Sequence, residues 1–281
     1  MRLTFLGTGT SSGIPVIACD CATCTSDDPR DNRTRTGAAL RWTDAQGAAR
    51  TILFDTTPDL RAQALRYRLT RCDAIFYTHN HVDHTFGLDE VRRFNAVMQA
   101  PIDVFAEEST MDDLRRVYRH VFEREKNVND SFVARLIPRV IRPGKPIDFH
   151  GLRITPLRLL HGRLPILGFR VEAPGLPREG PGEGPPTPAS DLLPLVYSTD
   201  VSAVPTESWG LLSGLSTLVT SALRFRHHPT HMTLDQALHV ASETGAKRTW
   251  FVHMSHEIRH AEVDPGLPEG VSLAYDGLTI P

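Results

Sequence analysis

The stretch THNHVDHTFG, Thr78 to Gly87, constrains this chain more than any other part of its sequence. Three histidines and an aspartate stand close together there, directly after the apolar run AIFY, which predicts a buried strand. A regular helix would scatter these side chains around its axis, whereas a loop leaving a strand can turn them toward one point. Imidazole nitrogens and a carboxylate together suit zinc, manganese or iron. The stretch therefore predicts a metal-binding loop at a strand end, containing His79, His81, Asp83 and His84.

The composition is that of an ordinary globular protein, with 40% hydrophobic and 23% charged residues in a chain of 281. A formal net charge of -2 gives no global basic field for nucleic acid, although a local basic patch stays open. No apolar stretch is long enough to span a bilayer, and the N-terminal MRLTFLGTGTSSG reaches glycines too early for a signal peptide. We therefore expect a cytoplasmic protein without a membrane partner, with residues 1–281 forming one domain.

Short strands and helices are predicted to alternate along the chain. The predicted strands are Arg2–Leu6, Ala38–Trp42, Thr51–Phe54 and Ala74–Tyr77 in the first half, and Leu152–Leu159, Leu167–Val171, Leu195–Tyr197, Ser216–Thr220, Thr249–Val252 and Val271–Tyr275 in the second. One helical apolar face runs from Met111 to Phe122, and another follows the capping-box pair Thr233 and Gln236. The Pro/Gly-rich segment 173–190 predicts an exposed hairpin loop between two strands.

The run CDCATC places three thiols, Cys19, Cys21 and Cys24, on one loop. In a reducing compartment this spacing favours a metal site over a secreted disulfide framework, and a tetrahedral zinc would need a fourth ligand. The alternative is a set of buried, reduced thiols. Cys72 stands alone and is expected to be a core or surface thiol.

HNHVDH resembles the signature of the metallo-β-lactamase-fold hydrolases. The resemblance implies an α/β fold, a four-layer αββα sandwich, with a dinuclear metal site at one edge. It also implies further ligands in LRLLHG, LVYSTD and TWFVHMSH, each of which follows an apolar run. The implied sets are His79, His81 and His161 for one metal, Asp83, His84 and His253 for the other, Asp200 as a bridge, and Asp55 as a residue that orients the metal loop without binding metal.

Within this fold, the cysteine loop after LGTGTSSGIPV resembles that of the PhnP-type phosphodiesterases. That resemblance implies a structural zinc held by the three cysteines and by the second histidine of VHMSH, His256. The expected cofactors are therefore two catalytic divalent metals, Zn2+ or Mn2+, and one structural Zn2+. The implied reaction is hydrolysis by a hydroxide that the two metals activate. The implied substrate is a small cyclic ribose phosphate such as phosphoribosyl 1,2-cyclic phosphate.

His231, in THMTLDQA, stands just before the capped helix, where phosphodiesterases of this fold carry a similar His-x-Thr. We expect His231 to be a general acid or a phosphate-binding residue, and Asp83 to be catalytic as well as a ligand. A solvent-facing histidine at the helix entry is the alternative for His231. The basic segment ALRFRHHPTH and Arg163 could contact a substrate phosphate, the candidates being Arg163, Arg224, Arg226, His227 and His228; a solvated basic loop is the alternative.

Three other functions stay open from the sequence. One is transfer-RNA cleavage of the ribonuclease Z kind, although CDCATC is foreign to that group and no long Gly/basic arm is present. Another is a role in cofactor biosynthesis like that of PqqB, whose relatives often depart from the full ligand set. The third is a non-catalytic, zinc-stabilised scaffold. We expect a small-molecule phosphodiester partner rather than nucleic acid, and a homodimer remains possible.

Overall fold

A computed structural model describes residues 1–128, 131–176 and 191–281 of the chain. Most of the predicted hairpin loop 173–190 lies outside these described residues, from 177 onward. The strands are β1 Arg2–Gly7, β2 Gly37–Thr43, β3 Ala49–Phe54, β4 Ala74–Phe76, β5 Ile102–Ala106, β6 Leu136–Val140, β7 Ile147–Phe149, β8 Leu152–His161, β9 Leu164–Glu172, β10 Leu195–Tyr197, β11 Thr217–Ser221, β12 Arg248–Val252, β13 Val271–Leu273 and β14 Thr279–Ile280.

Helices connect these strands. The α-helices are α1 Leu60–Arg66, α2 Val82–Thr85, α3 Arg92–Met98, α4 Glu108–Val117, α5 Arg119–Phe122, α6 Leu234–Thr244 and α7 His260–Val263. Short 3₁₀ helices cover Pro29–Asp31, Leu88–Val91, Arg124–Lys126, Thr206–Leu212 and Asp264–Gly266. The predicted capping box of α6 is present, because Thr233 and Gln236 each accept a backbone N–H from the other.

The strands form two seven-stranded sheets, in the orders β14-β1-β2-β3-β4-β5-β6 and β13-β12-β11-β10-β9-β8-β7. Apolar side chains of both sheets share one core, in which the rings of Phe54 and Tyr197 stack with centroids 4.5 Å apart. The outer face of the first sheet packs on α1, α3 and α4, and that of the second sheet packs on α6. These four layers confirm the αββα sandwich. The assignment of residues 1–281 to one domain stays a prediction, which the shared core supports.

Parallel strands bring the metal-type residues to one edge. β3 and β4 are parallel, as are β10, β11 and β12, so their carboxyl ends lie at the same edge of each sheet. Three residues just after these strands have left-handed backbone conformations, with φ of 63° at Asp55, 58° at Asp200 and 59° at His253. Such conformations are rare for residues other than glycine and are concentrated at functional sites. They turn the chain sharply where it leaves the sheet.

Two features of the fold differ from the sequence prediction. The structure contains β5, β6, β7 and β14, which the hydrophobic pattern did not predict. The single helix expected from Met111 to Phe122 is divided into α4 and α5 at Tyr118, where φ is -103° and ψ is 41°. The Tyr118 hydroxyl donates to the Thr85 carbonyl at 2.9 Å. This tertiary contact competes with helix continuity, and local periodicity carries no signal of it. Cys72 proves to be a buried thiol.

Candidate metal centres

The first group of candidate ligands comprises His79, His81, His161 and Asp200, whose ligand atoms all lie within 4.8 Å of one another. His79 Nδ1 lies 3.0 Å from the Thr78 hydroxyl, while its Nε2 is 3.9 Å from Asp200 Oδ2. His81 is the exposed member of the group. The structure thus brings together the residues that the sequence assigned to one metal.

His161 is oriented by a backbone carbonyl. Its Nδ1 lies 2.7 Å from the Thr230 oxygen, and because a carbonyl can only accept, Nδ1 carries the proton. The bare Nε2 is therefore the nitrogen available to a metal, an arrangement that is common for metal-binding histidines. The carbonyl of Thr230 was not among the sequence candidates.

The second group comprises Asp83, His84, His253 and the shared Asp200. His84 Nε2 lies 3.2 Å from Asp83 Oδ2 and 3.3 Å from Asp200 Oδ1. His253 Nδ1 lies 3.0 Å from the same Asp200 oxygen. Asp200 therefore stands between the two groups, in the position expected of a bridging carboxylate.

Both carboxylate oxygens of Asp55 form hydrogen bonds with residues of the metal loop. It accepts the Thr78 amide at 2.8 Å and the Thr78 hydroxyl at 2.9 Å, and it lies 2.8 Å from His84 Nδ1. Burial raises the pKa of this carboxyl, although His84 and Thr78 oppose the rise. Asp55 belongs to neither group of candidate ligands. Its contacts are those of a residue that orients the loop.

Thr10 is a site residue that sequence reasoning missed. Its hydroxyl lies 3.1 Å from His253 Nε2, and its backbone N–H donates to the Met254 carbonyl at 3.0 Å. The N-terminal GTGT turn therefore fixes the ring of a candidate ligand that follows it by more than two hundred residues. The turn was noticed in the sequence only as a family marker, and nothing local in the pattern connects it with His253.

The donor set contains buried nitrogens that a divalent metal would satisfy. Within the described chain, His79 Nε2, His84 Nε2 and His253 Nδ1 are buried, and the carboxylate oxygens 3.0 to 3.9 Å from them are not in hydrogen-bond geometry. A buried unsatisfied polar atom costs about 1–3 kcal/mol, and a cation at each group would satisfy all three nitrogens. Burial opposes ionisation of Asp200, but His253 and His84 hold its pKa well below the usual range. Asp200, Asp83 and Asp55 raise the pKa of His84 against its burial, and a divalent cation would supply the positive charge that these carboxylates favour.

The third group of candidate ligands joins the cysteine loop to the segment that follows β12. Cys19, Cys21 and Cys24 place their sulfurs 3.2, 3.5 and 3.6 Å from His256 Nδ1. A tetrahedral zinc with usual bond lengths would separate sulfur from nitrogen by roughly 3.6 Å. The four residues therefore have the spacing of a closed zinc site, and the fourth ligand proposed from VHMSH lies where that site needs it.

A buried ion pair holds the segment between His253 and His256. The Arg33 side chain is 0% exposed and lies 2.9 Å from Asp31 Oδ1, while its Nη1 donates to the Ser255 carbonyl at 3.2 Å. Ser255 stands between one candidate ligand of the dinuclear group and one of the cysteine group. Arg33 therefore ties the two metal groups to the same backbone segment. An arginine in a polar N-terminal stretch gave no sequence signal of burial.

His231 lies between the two halves of the dinuclear group. Its ring centroid is 4.5 Å from that of His161 and 5.0 Å from that of His253, and its buried Nδ1 has no partner among the described residues. Burial, with a smaller contribution from His253, lowers the pKa of His231 to about 3. The ring is thus neutral and partly buried, not a solvent-facing residue at the helix entry.

A recess of about 450 Å³ opens beside His231 and is also lined by Arg163, His227 and His228. Arg224 and Arg226 do not line this recess. Arg226 instead pairs with Glu257 at 2.8 Å, and Arg224 donates to backbone carbonyls of its own loop. The basic segment therefore presents histidines toward the recess, while two of its arginines stabilise the loop.

Across the described residues, we find no helix with the length and apolarity needed to cross a membrane.

Comparison with protein families gives one domain match, the beta-lactamase superfamily domain, over residues 50–254. This range contains the seven candidate ligands of the dinuclear group and Asp55.

Curated relatives show sequence similarity to this chain. A protein named octanoyltransferase from Porphyromonas gingivalis (strain ATCC BAA-308 / W83) is 33% identical over 283 residues, which is 99% of this chain and 51% of that protein. A ribonuclease Z from Picosynechococcus sp. (strain ATCC 27264 / PCC 7002 / PR-6) is 29% identical over 175 residues, 61% of this chain and 47% of that protein. The chain therefore spans about half the length of the curated relatives that it matches.

Two solved structures are similar over the whole chain. A diphosphatase of the PhnP family shares 36% identity with a TM-score of 0.83, covering 100% of this chain and 97% of the other. Zinc-bound PqqB from Methylobacterium extorquens has a TM-score of 0.75 at 18% identity, with 100% of both chains covered. The second likeness shows a shared fold alone.

Proposed function

The chain belongs to the beta-lactamase superfamily as a metal-dependent hydrolase of the PhnP type, and from this premise we propose that it is a phosphodiesterase. One observation carries the proposal: a recess lined by His231, His228 and Arg163 lies beside the dinuclear group, since the His231 ring centroid is 4.5 Å from that of His161. Imidazoles and a guanidinium beside two cation sites suit a substrate that is anionic at the reacting centre. A lactam or thioester substrate has no negative charge there for these groups to bind.

We assign His79, His81 and His161 to one divalent metal, Asp83, His84 and His253 to the second, and Asp200 to both. When bound, such metals polarise a phosphoryl oxygen and lower the pKa of a water molecule toward neutrality. The third group, Cys19, Cys21, Cys24 and His256, has no open position and no acidic oxygen, as is typical of a structural zinc site. The identity of the dinuclear pair, zinc or manganese, is a matter for elemental analysis.

The protein's own groups keep this site rigid before substrate arrives. Asp55 fixes the His84 ring, the Thr230 carbonyl fixes His161, and the Thr10 hydroxyl fixes His253. Partners of this kind set the tautomer and direction of a metal-binding ring. Asp83 contributes a carboxylate to this group, with Oδ2 3.2 Å from His84 Nε2, and the catalytic role we give it is to accept a proton from the nucleophilic water.

His231 is placed to act on the leaving group. Its neutral ring can donate one hydrogen bond to a phosphate oxygen, and an ionised phosphate ester beside it would raise its pKa again. A protonated His231 would then transfer its proton to the departing alkoxide oxygen while the phosphorus–oxygen bond breaks. Its two roles, general acid and phosphate binder, differ in how they depend on the leaving group.

Within the phosphodiesters, we assign a small cyclic ribose phosphate of the phosphoribosyl 1,2-cyclic phosphate kind. The PhnP family relation supports this choice, and a recess of about 450 Å³ has the size for a small phosphorylated sugar. We expect the working protein to be cytoplasmic, with no nucleic-acid or membrane partner, as a monomer or a homodimer.

A second candidate is cleavage of a diphosphate. It is favoured by the 36% identical structure, which is described as a diphosphatase. The chemistry differs only in the leaving group, a phosphate in place of an alkoxide, and a phosphate leaves without needing a proton. The ribonuclease Z relation covers 61% of this chain and supports transfer-RNA cleavage less well.

A substrate panel on the metal-loaded protein tests the proposal. We expect turnover of bis-p-nitrophenyl phosphate and faster turnover of a ribose cyclic phosphate, while an Asp200→Asn variant should be inactive on both. The panel should also contain a dinucleoside diphosphate, a precursor transfer RNA and an octanoyl thioester. Preference for the diphosphate would replace the first candidate with the second. Much faster hydrolysis of the thioester or of a lactone would refute phosphodiester chemistry altogether.

A further inference from the structure

A second recess lies at the end of the first sheet that is remote from the metals. Its volume is about 460 Å³, and it is lined where β1 and β3 begin, where β2 ends, and by residues that follow α1. β3 runs from this recess to Asp55, and at ~3.3 Å per residue its length separates the two sites by roughly 20 Å. The recess is therefore not an extension of the dinuclear site.

Arginines dominate its lining: Arg2, Arg41, Arg50, Arg68 and Arg71. Asp44 and Asp73 offset part of this charge, because Arg50 pairs with Asp44 at 2.7 Å and with Asp73 at 3.2 Å, and Arg71 pairs with Asp73. Two carboxylates thus pair with two of the five guanidinium groups of the recess. The recess is therefore locally positive, although the formal net charge of the chain is -2.

Three of the five arginines lack a carboxylate partner among the described residues. Arg2 and Arg41 face each other directly across β1 and β2, a like-charge pairing that destabilises a sheet. Arg41 is partly buried and its Nε has no hydrogen-bond partner in the described chain. Burial and the charge of Arg2 both lower the pKa of Arg41. Arg41 Nη2 donates to the Tyr67 carbonyl at 3.4 Å, but the fold holds positive charge here with no described carboxylate beside Arg2, Arg41 or Arg68.

Arg68 lines the same recess and has an unfavourable backbone conformation. Its φ is 51°, just after α1, where glycine is the residue that best tolerates a left-handed conformation. A glycine at this position would relieve the backbone strain, yet the chain has an arginine whose guanidinium lines the recess. An anionic ligand would compensate both costs, since arginine binds phosphate oxygens through paired, charge-assisted hydrogen bonds.

We propose that this arginine recess, formed around Arg2, Arg41 and Arg68, is a binding site for a phosphorylated small molecule, separate from the site of hydrolysis. Its volume is in the range of pockets for nucleotide-sized ligands. A recess of this volume suits a small anion better than a nucleic-acid strand, which needs an extended positive track. The proposal does not depend on the substrate that the dinuclear site hydrolyses.

Calorimetric titration of the metal-loaded, full chain with inorganic phosphate and with ADP tests this site. The test variant is Arg2→Gln/Arg68→Gly, and the control is Arg115→Gln/Arg153→Gln, which removes the same charge from exposed positions elsewhere. Wild type and control should show a binding event that the test variant weakens by at least about tenfold. Hydrolysis of bis-p-nitrophenyl phosphate should be equal in all three, since the recess is remote from the metals.

Comparing inorganic phosphate with ADP distinguishes two sources of the bound phosphate group. Equal affinity would identify free phosphate as sufficient, whereas tighter binding of ADP would indicate a nucleotide-sized organic phosphate. Relief of the left-handed strain at Arg68 should keep the melting temperature of the test variant at or above that of the control. Indistinguishable titrations of test and control variants would overturn the proposal. So would a single-stranded RNA oligonucleotide that binds through these arginines when phosphate and ADP do not.

Discussion

The buried pair Arg33–Asp31 should be the most sensitive point of the scaffold around the metals. Arg33 donates to Asp31, to the Ser255 carbonyl and to the Arg30 carbonyl, and both charged side chains are at most 1% exposed. Replacing Arg33 by Met would leave the Asp31 carboxylate buried with one remaining donor, the His260 amide at 2.8 Å. Breaking one partner of such a pair costs about 3–5 kcal/mol.

That cost is a large part of the roughly 5–15 kcal/mol by which a folded protein is stable. Because Arg33 also holds Ser255, between His253 and His256, we expect Arg33→Met to lower zinc retention as well as the free energy of unfolding. The assay is urea unfolding at a fixed free zinc concentration, with elemental analysis of the purified variant. Arg115→Met is the matched control: its exposed pair with Asp112 should contribute under about 1 kcal/mol.

A double-mutant cycle separates the ion pair from the packing of the arginine. Asp31→Asn keeps an oxygen for the His260 amide while it removes the charge. The double variant Asp31→Asn/Arg33→Met should therefore be less destabilised than the sum of the single variants, by about 1–3 kcal/mol. Strict additivity, or a loss below about 1 kcal/mol for Arg33→Met, would refute the reasoning.

Three further predictions concern the zinc, the general acid and a buried carboxyl. Cys21→Ser should lower both bound zinc and melting temperature, because a structural zinc contributes folding free energy directly; unchanged zinc by elemental analysis would exclude the site. His231→Ala should slow a ribose cyclic phosphate by about 10²–10⁴-fold and a p-nitrophenyl ester far less, since p-nitrophenolate leaves without a proton; equal losses in kcat would instead make His231 a phosphate binder. Burial raises the pKa of Asp276 from 3.8 to about 6, against the hydrogen bonds from Thr34 and Thr8. Its folded carboxyl keeps the proton to a higher pH than the unfolded one, so its contribution is full below about pH 4 and is lost as pH rises through about 6. The free energy of unfolding of wild type minus that of Asp276→Asn should fall over this window by up to ~3 kcal/mol; a flat or rising difference in urea titrations would contradict it.

Much of the dinuclear group could be predicted from the sequence, because several candidate ligands end or shortly follow an apolar strand. Asp83 and His84 are exceptions, since they lie in the short helix α2 where the sequence predicted a loop. His79 follows β4, Asp200 follows β10 and His253 follows β12. Strand periodicity is local, and parallel strands bring their carboxyl ends to one edge whatever the loops between them do. The αββα class was implied by the resemblance of HNHVDH to the metallo-β-lactamase-fold signature, and periodicity alone predicted only alternating strands and helices. The short edge strands β7 and β14 could not be predicted, because each includes a polar residue and so lacks the continuous apolar run that marked the similarly short β4 and β10.

Only the tertiary structure decided which polar residues orient the candidate ligands. It also decided which basic residues line the recess beside His231 and which bind to their own loop. Thr10 reaches His253 and Arg33 reaches Ser255 across more than two hundred residues of sequence. The sequence around Arg226 predicted a phosphate contact, yet Arg226 pairs with Glu257, which lies just after the next strand, β12. A side chain's partner depends on distances between segments that are set only when the two sheets pack, and neither composition nor local pattern contains those distances.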